Sequence, residues 1–239
     1  TSSFRTPAAT LAQWRTLHGV EGFDEASLEP WFERMEARLG VAPWRTAPNA
    51  NNAALARGAT RLGVHHDAIR RNVRGCWNLG YCGMGCPTNA KQSMLVTTIP
   101  TALDHGMSLL HHARVDKLLF DKDRVAGLVA VALNADTRHT SGTRITVRAR
   151  HYILSGGAIN TPALLLRSQV PDPHGRVGQR SCIHPVNLSI AQFDREIDGY
   201  HGAPQTIYSD HFLWPDDGDI GYKLEVPPLQ PMLAPDLLV

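Results

Sequence analysis

One stretch constrains this chain more than any other: Leu154-Ser155-Gly156-Gly157-Ala158-Ile159-Asn160-Thr161-Pro162-Ala163-Leu164-Leu165-Leu166-Arg167-Ser168. A short run at 151–154 is expected as a strand that ends at a glycine pair, with a helix starting at once behind it. Thr161 can cap that helix, Pro162 suits its first turn, and Ala163 to Leu166 are good helix formers. Paired glycines let backbone N–H groups approach a ligand that a Cβ would keep away. The positive end of the helix favours an anion or a flat polar ring at the same place. The pattern predicts a strand–turn–helix ligand site, and the bare alternative is a tight turn with no ligand.

Upstream, residues 23–40 form an amphipathic pattern. Leu28, Trp31, Phe32, Met35 and Leu39 share one face, Glu33, Glu36 and Arg38 take the other, and Gly40 closes the helix. A second helix is predicted over 51–62, ended by Gly63, and a third over about 93–105, which Pro100 kinks or shortens. Residues 76–88 are a Gly- and Cys-rich loop without periodicity. From 108 the period becomes extended. Strands are predicted at 108–112, 115–120, 125–133, 143–148 and 151–154, with Asp121-Lys122-Asp123-Arg124 as a charged hairpin turn. Further short strands are predicted at 187–193, 206–208 and 222–226. The fold class is therefore an α/β (α+β) mixture, with parts of two domains interleaved along the chain.

Several function classes are excluded by composition and motif. A 43% apolar and 19% charged chain of net charge +2 has the makeup of a globular protein with a core, and nothing in it points to nucleic acid or an acidic surface. No apolar run reaches the ~20 residues that cross a bilayer. No secretory leader is visible, and a cytoplasmic location is the expectation. The 12 histidines are scattered. Adjacent His65-His66 and His111-His112 would point to opposite faces of a strand, a poor chelate, so no metal site is assigned. Cys76, Cys82 and Cys86 carry Pro87 behind them. A four-iron cluster wants four thiolates and only the distant Cys182 remains, so structural or free cysteines are expected, with a disulfide as the alternative. Gly83-x-Gly85 lacks a third glycine and a preceding strand, so no nicotinamide dinucleotide fingerprint is present.

In order and spacing, these pieces resemble the glucose–methanol–choline (GMC) family of FAD-dependent alcohol oxidoreductases. The stretch 154–168 resembles the family's second signature, with Gln169 where glycine is usual after Ser168 and Asn160 where glycine is common. Pro30-Trp31-Phe32-Glu33, the flavin-covering loop Gly85-Cys86-Pro87-Thr88-Asn89-Ala90-Lys91-Gln92-Ser93, and His111-Ala113-Val115 followed by Arg124-Val125-Ala126-Gly127-Leu128 extend the likeness. Gly178 and His184-Pro185 match a further motif in part, while Arg180, Ser181 and Ile183 depart from it. The resemblance implies FAD as cofactor, held by Val115 through its backbone and by Gly156, Gly157, Ala158, Asn160 and Thr161. It implies a small-molecule alcohol as substrate and leaves the electron acceptor open.

The domains implied are a helical connecting segment at 1–75, the flavin-covering loop and helix at 76–107, an FAD-domain segment at 108–186, and the start of an antiparallel-sheet substrate domain at 187–239. The family's N-terminal Gly-x-Gly-x-x-Gly and its C-terminal catalytic His are not found. The expectation is a piece of a GMC oxidoreductase that lacks those parts, with no catalytic residue of its own and no turnover alone. The alternative is a self-contained, degenerate nucleotide-binding or structural module. A piece should leave Leu164, Leu165, Val129 and Val131 without a partner layer, whereas a module should cover them.

Overall fold

Local sequence decides where most elements begin and end. In the computed structural model, which describes residues 2–214 and 220–227, the order is α1 (Ala8–His18), α2 (Glu25–Leu39), β1 (Val41–Pro43), α3 (Ala50–Leu62), β2 (Asp67–Ala68), β3 (Arg70–Asn72), a 3-10 turn (Tyr81–Gly83), α4 (Thr98–Asp104), β4 (Ala113–Asp121), β5 (Arg124–Leu133), β6 (Thr140–Val147), α5 (Gly157–Arg167), β7 (Ile207–Ser209) and β8 (Leu224–Glu225). The mixture of helices with antiparallel sheets is the fold class read from the sequence. The chain divides into two compact units, residues 1–107 with 191–239, and residues 108–190.

In the first unit, α1, α2 and α3 each close on a left-handed glycine: Gly19, Gly40 and Gly63. Asp24 caps α2 by accepting the Ser27 N–H at 2.9 Å, and Asn49 caps α3 by accepting the Asn52 N–H at 2.9 Å. Arg5 clamps α2 from outside, chelating Glu36 at 2.9 and 3.0 Å and reaching Glu29 at 2.7 Å. Strand β1 pairs with β3, and β2, β7 and β8 form a small antiparallel sheet. Its core includes Leu11, Ala59, Ile69, Ala203, Ile207 and Val226. Asn52 is buried and fastens α3 to β7, its Oδ1 accepting the N–H groups of Thr206 at 2.8 Å and Ile207 at 3.1 Å. The predicted apolar face of α2 is only partly covered, with Trp31 60% exposed and no residue of the helix buried.

The second unit is a β4–β5–β6 meander with α5 packed on β4. Leu118, Ala130, Val131 and Leu164 form its buried core. Ser168 is buried beside them, and its Oγ accepts the Leu118 N–H at 2.9 Å, which ties the end of the helix to the strand. The hairpin turn falls at Lys122-Asp123, where the sequence places it, with Lys122 left-handed at φ 53°.

Five expectations are corrected. Residues 108–112 form no strand, because His112 takes φ 51° and ladder pairing begins only at Ala113 opposite Ala132. Residues 151–154 are not a strand either: after β6 the Ala149 N–H goes to the Tyr152 hydroxyl at 2.8 Å, closing a local loop, and Ile153 stands 88% exposed. Residues 187–193 run exposed without strand pairing. The third helix is confined to Thr98–Asp104, which puts Pro100 in the first turn, where its missing N–H has no partner to lose. Finally, α5 starts at Gly157 and not after Thr161, so Thr161 and Pro162 lie inside it. The predicted strands at 206–208 and 222–226 appear as β7, one residue later at the same length, and β8, shortened to two residues within the predicted range. Of the segment 187–239, residues 215–219 and 228–239 lie outside the described residues.

Candidate functional site

The second unit holds a cleft of about 610 Å³ between β4, the 153–156 loop and α5. Two devices shape it. On β4, Val115 pairs with Ala130 and Lys117 with Val129, so Asp116 is an extra residue. A bulge of this kind bends a strand and re-aims its side chains. On α5, Asn160, Leu164 and Arg167 follow one another at helical spacing and all line the cleft. Val115, Leu128 and Leu164 supply apolar wall, Arg114 and Arg167 two cations, and Gly156 and Thr161 the helix start. The Arg167 Nε donates to the Asp116 carbonyl at 3.4 Å, and Arg144 meets the Asp116 carboxylate at 3.5 Å. Among the described residues Arg114 forms no ion pair. The arrangement offers slots for a flat apolar ring, strand edge groups beside it, and positive charge for an anion.

Of the residues singled out in the sequence, Val115, Gly156, Asn160 and Thr161 meet in this cleft although more than forty positions separate Val115 from the others. Gly157 and Ala158 are exposed and lie outside its lining. The glycine pair is also accounted for by the chain itself. Gly157 takes φ 77°, which a side chain rarely adopts. A Cβ on Gly156 would stand 3.0 Å from Thr161 Oγ1 and 3.1 Å from its backbone N. Thr161 does satisfy an orphan donor at the helix start, accepting the Gly156 N–H at 2.9 Å, from inside the helix and not from the cap position. Sequence reasoning missed Arg114, Asp116, Leu128, Leu164 and Arg167 as lining residues. The spacing 160, 164, 167 was the available signal for two of them.

The exposure criterion for a piece comes out against expectation. Leu164 and Val131 are buried, and Leu165 and Val129 half-buried. The exposed apolar groups of this unit lie elsewhere, at Ile153, Ile159, Leu166, Ile183, Val186 and Ile190.

Other candidate groups form no comparable site. All four cysteines are free thiols. Among the described residues no three His, Cys, Asp or Glu side chains converge as metal ligands, and no helix is long and apolar enough to cross a membrane. His111 and His112 do not diverge as strand neighbours would: their Nδ1 atoms face each other, because His112 is left-handed.

Residues 1–186 match the family profile described as GMC oxidoreductase. An uncharacterized GMC-type oxidoreductase of Sinorhizobium fredii is 34% identical over 82% of this chain and 38% of its own length. A long-chain-alcohol oxidase of Arabidopsis thaliana is 26% identical over 96% of this chain and 32% of its own. An oxygen-dependent choline dehydrogenase of Pseudomonas syringae pv. tomato is 28% identical over 66% and 29%. The chain spans about a third of the length of the curated relatives it matches.

Proposed function

Because this chain belongs to the GMC oxidoreductase family, we propose that it is part of an FAD-dependent enzyme that oxidises the CH–OH group of a small-molecule alcohol, and that the cleft of residues 108–190 receives the adenine nucleotide end of the cofactor. The observation that carries this reading is the convergence of Val115 with Gly156, Asn160 and Thr161. The residues present fit that group. Val115, Leu128 and Leu164 offer apolar contact to a planar ring, and β4, the edge strand of the meander, offers backbone groups for its hydrogen bonds. Arg114, Arg167 and the start of the eleven-residue α5 supply the positive field a pyrophosphate needs. Gly157 and Ala158, outside the lining of the cleft, shape the turn that presents Gly156.

When bound, FAD supplies the acceptor for the hydride that leaves the alcohol carbon. In this chain, β4 and α5 orient the nucleotide, Arg167 is steadied through the Asp116 carbonyl, and Leu128 and Leu164 exclude water from the ring. No residue here is assigned the proton-accepting role, so this polypeptide alone turns over no alcohol.

Titration of the protein with ADP, FAD and FMN tests the proposal. ADP and FAD bind competitively, FMN does not displace them, and Arg167→Gln weakens ADP at least tenfold, about 1.4 kcal/mol. Equal competition by FMN, or no ADP binding at millimolar concentration, overturns it.

A further inference from the structure

Two histidines at the approach to β4, outside the lining of the cleft, are arranged for a ligand of their own. Neighbouring side chains on a strand point to opposite faces, and on that ground His111 and His112 make a poor chelate. The backbone departs from that rule here. His112 takes φ 51°, a left-handed turn just before ladder pairing begins at Ala113. The turn is held by the sheet, the His112 carbonyl accepting the Leu133 N–H at 2.7 Å. It swings the two imidazoles together, with ring centroids 4.6 Å apart, planes at 69°, and Nδ1 facing Nδ1. Both residues are exposed, so an ion in solution reaches them. The other adjacent pair supplies the contrast. His65 Nδ1 is taken by Asp210 at 2.8 Å and His66 Nδ1 meets the Val64 carbonyl at 3.4 Å, so those two rings are engaged separately.

We propose that His111 and His112 form a two-imidazole site for a divalent first-row transition ion, bound through both Nδ1 atoms with water in its remaining positions. Two neutral imidazoles cannot present lone pairs to each other without repulsion. Something positive stands between the Nδ1 atoms, either the proton of one ring or a cation. A hydrogen bond between two exposed rings gains little, because water serves both equally well. A cation gains two nitrogen ligands whose relative position the backbone has already set, so little freedom is lost on binding. Imidazole suits copper, nickel and zinc, and copper(II) binds such a donor set most tightly. A third imidazole lies at the same end of the meander. The Asn134 N–H, next along from Leu133, donates to the His139 carbonyl at 2.9 Å, and His139 Nδ1 donates to the Asp136 carboxylate at 2.6 Å. His139 does not converge on the pair, so solvent completes the coordination.

The test is equilibrium titration of the whole, untagged chain with copper(II) chloride at neutral pH, its four thiols first blocked with N-ethylmaleimide so that sulfur does not compete. One equivalent binds, and its electron paramagnetic resonance spectrum carries imidazole nitrogen couplings. His111→Ala and His112→Asn each weaken that equivalent at least tenfold, because one imidazole alone forms no chelate. Asparagine keeps a side chain suited to the left-handed position, and circular dichroism verifies that each variant is folded. His65→Ala combined with His66→Ala leaves the affinity unchanged within about twofold. Equal loss in that double variant, binding retained in either His111→Ala or His112→Asn, or weak and non-saturating uptake, an adventitious ion only, each overturns the proposal.

Discussion

Gly156→Ala separates two reasons for a glycine at the lip of the cleft. If the residue is there only to let a ligand approach, the ligand-free protein tolerates alanine. The geometry says otherwise. The new Cβ would sit 3.0 Å from Thr161 Oγ1, 3.1 Å from the Thr161 backbone N and 3.3 Å from Asn160 Cβ. It would also push against the 2.9 Å bond from the Gly156 N–H to Thr161 Oγ1. Losing that bond costs about 1 kcal/mol. Crowding at a partly exposed helix start takes the low end of the overpacking range, about 1 kcal/mol. At φ −79° alanine itself is unstrained, and the stiffer unfolded chain returns roughly 0.5 kcal/mol. The net expectation is a loss of about 1.5 kcal/mol, or roughly 3–6 °C in Tm for a chain of this size. Urea unfolding without nucleotide measures it, followed by the same titration in Thr161→Ala. With the hydroxyl gone, Gly156→Ala should cost clearly less, so the pair is non-additive. A ligand-free loss below about 0.5 kcal/mol, or strict additivity, refutes the argument that the chain itself requires this glycine.

Two further outcomes follow from features described above. The α5 helix ends in a Schellman motif, with the Val170 N–H on the Leu165 carbonyl and the Gln169 N–H on the Leu166 carbonyl, and Gln169 at φ 53° occupies the position where glycine fits best. Gln169→Gly therefore stabilises the protein by roughly 0.5–1 kcal/mol in urea unfolding, the relief of left-handed strain exceeding the entropy of the glycine. The Glu36 carboxyl is held below its ordinary 4.5 chiefly by hydrogen bonds from Arg5, helped by the charge of Arg70. A lowered native pKa adds stability above pH 4.5 that is lost as pH falls through the lower native value. Glu36→Gln should flatten the acid limb of the stability curve in that window, and an unchanged slope of Tm against pH refutes the pairing.

What could be read from the sequence was whatever local chemistry decides. Helix ends at Gly40 and Gly63, the Lys122-Asp123 turn and the meander through 115–133 depend on neighbours within a few residues, and they appear as expected. Residues 108–112, 151–154 and 187–193 carry strand-like composition, but a strand exists only where another backbone meets it, and no composition reveals that partner. The start of α5 was misplaced for a related reason. Thr161 and Pro162 are common at helix starts, yet the Thr161 hydroxyl serves the start from within, and Pro162 is tolerated one turn in. The Asp116 bulge left no mark in the sequence at all, since any residue type can be the extra one.

The glycine pair therefore changes its standing as evidence. It was the sharpest feature of the sequence, yet a left-handed Gly157 and a Gly156 crowded by Thr161 would both be needed in a turn that binds nothing. The argument for a nucleotide passes to residues that the turn does not need. Arg114, Asn160 and Arg167 line a cleft whose apolar wall is Val115, Leu128, Ile153, Leu154 and Leu164, with Asp116, Ser155 and Thr161 as its other polar members, and two of the three are cations. The Asp116 carboxylate in the same lining is paired with Arg144 at 3.5 Å and Arg167 reaches only the Asp116 carbonyl, so neither cleft arginine has a carboxylate partner among the described residues, and like charges in one concavity repel unless an anion stands between them. A site that expects a phosphate makes them useful together. Arg167→Gln is accordingly the more informative substitution for binding, and Gly156→Ala the more informative one for folding.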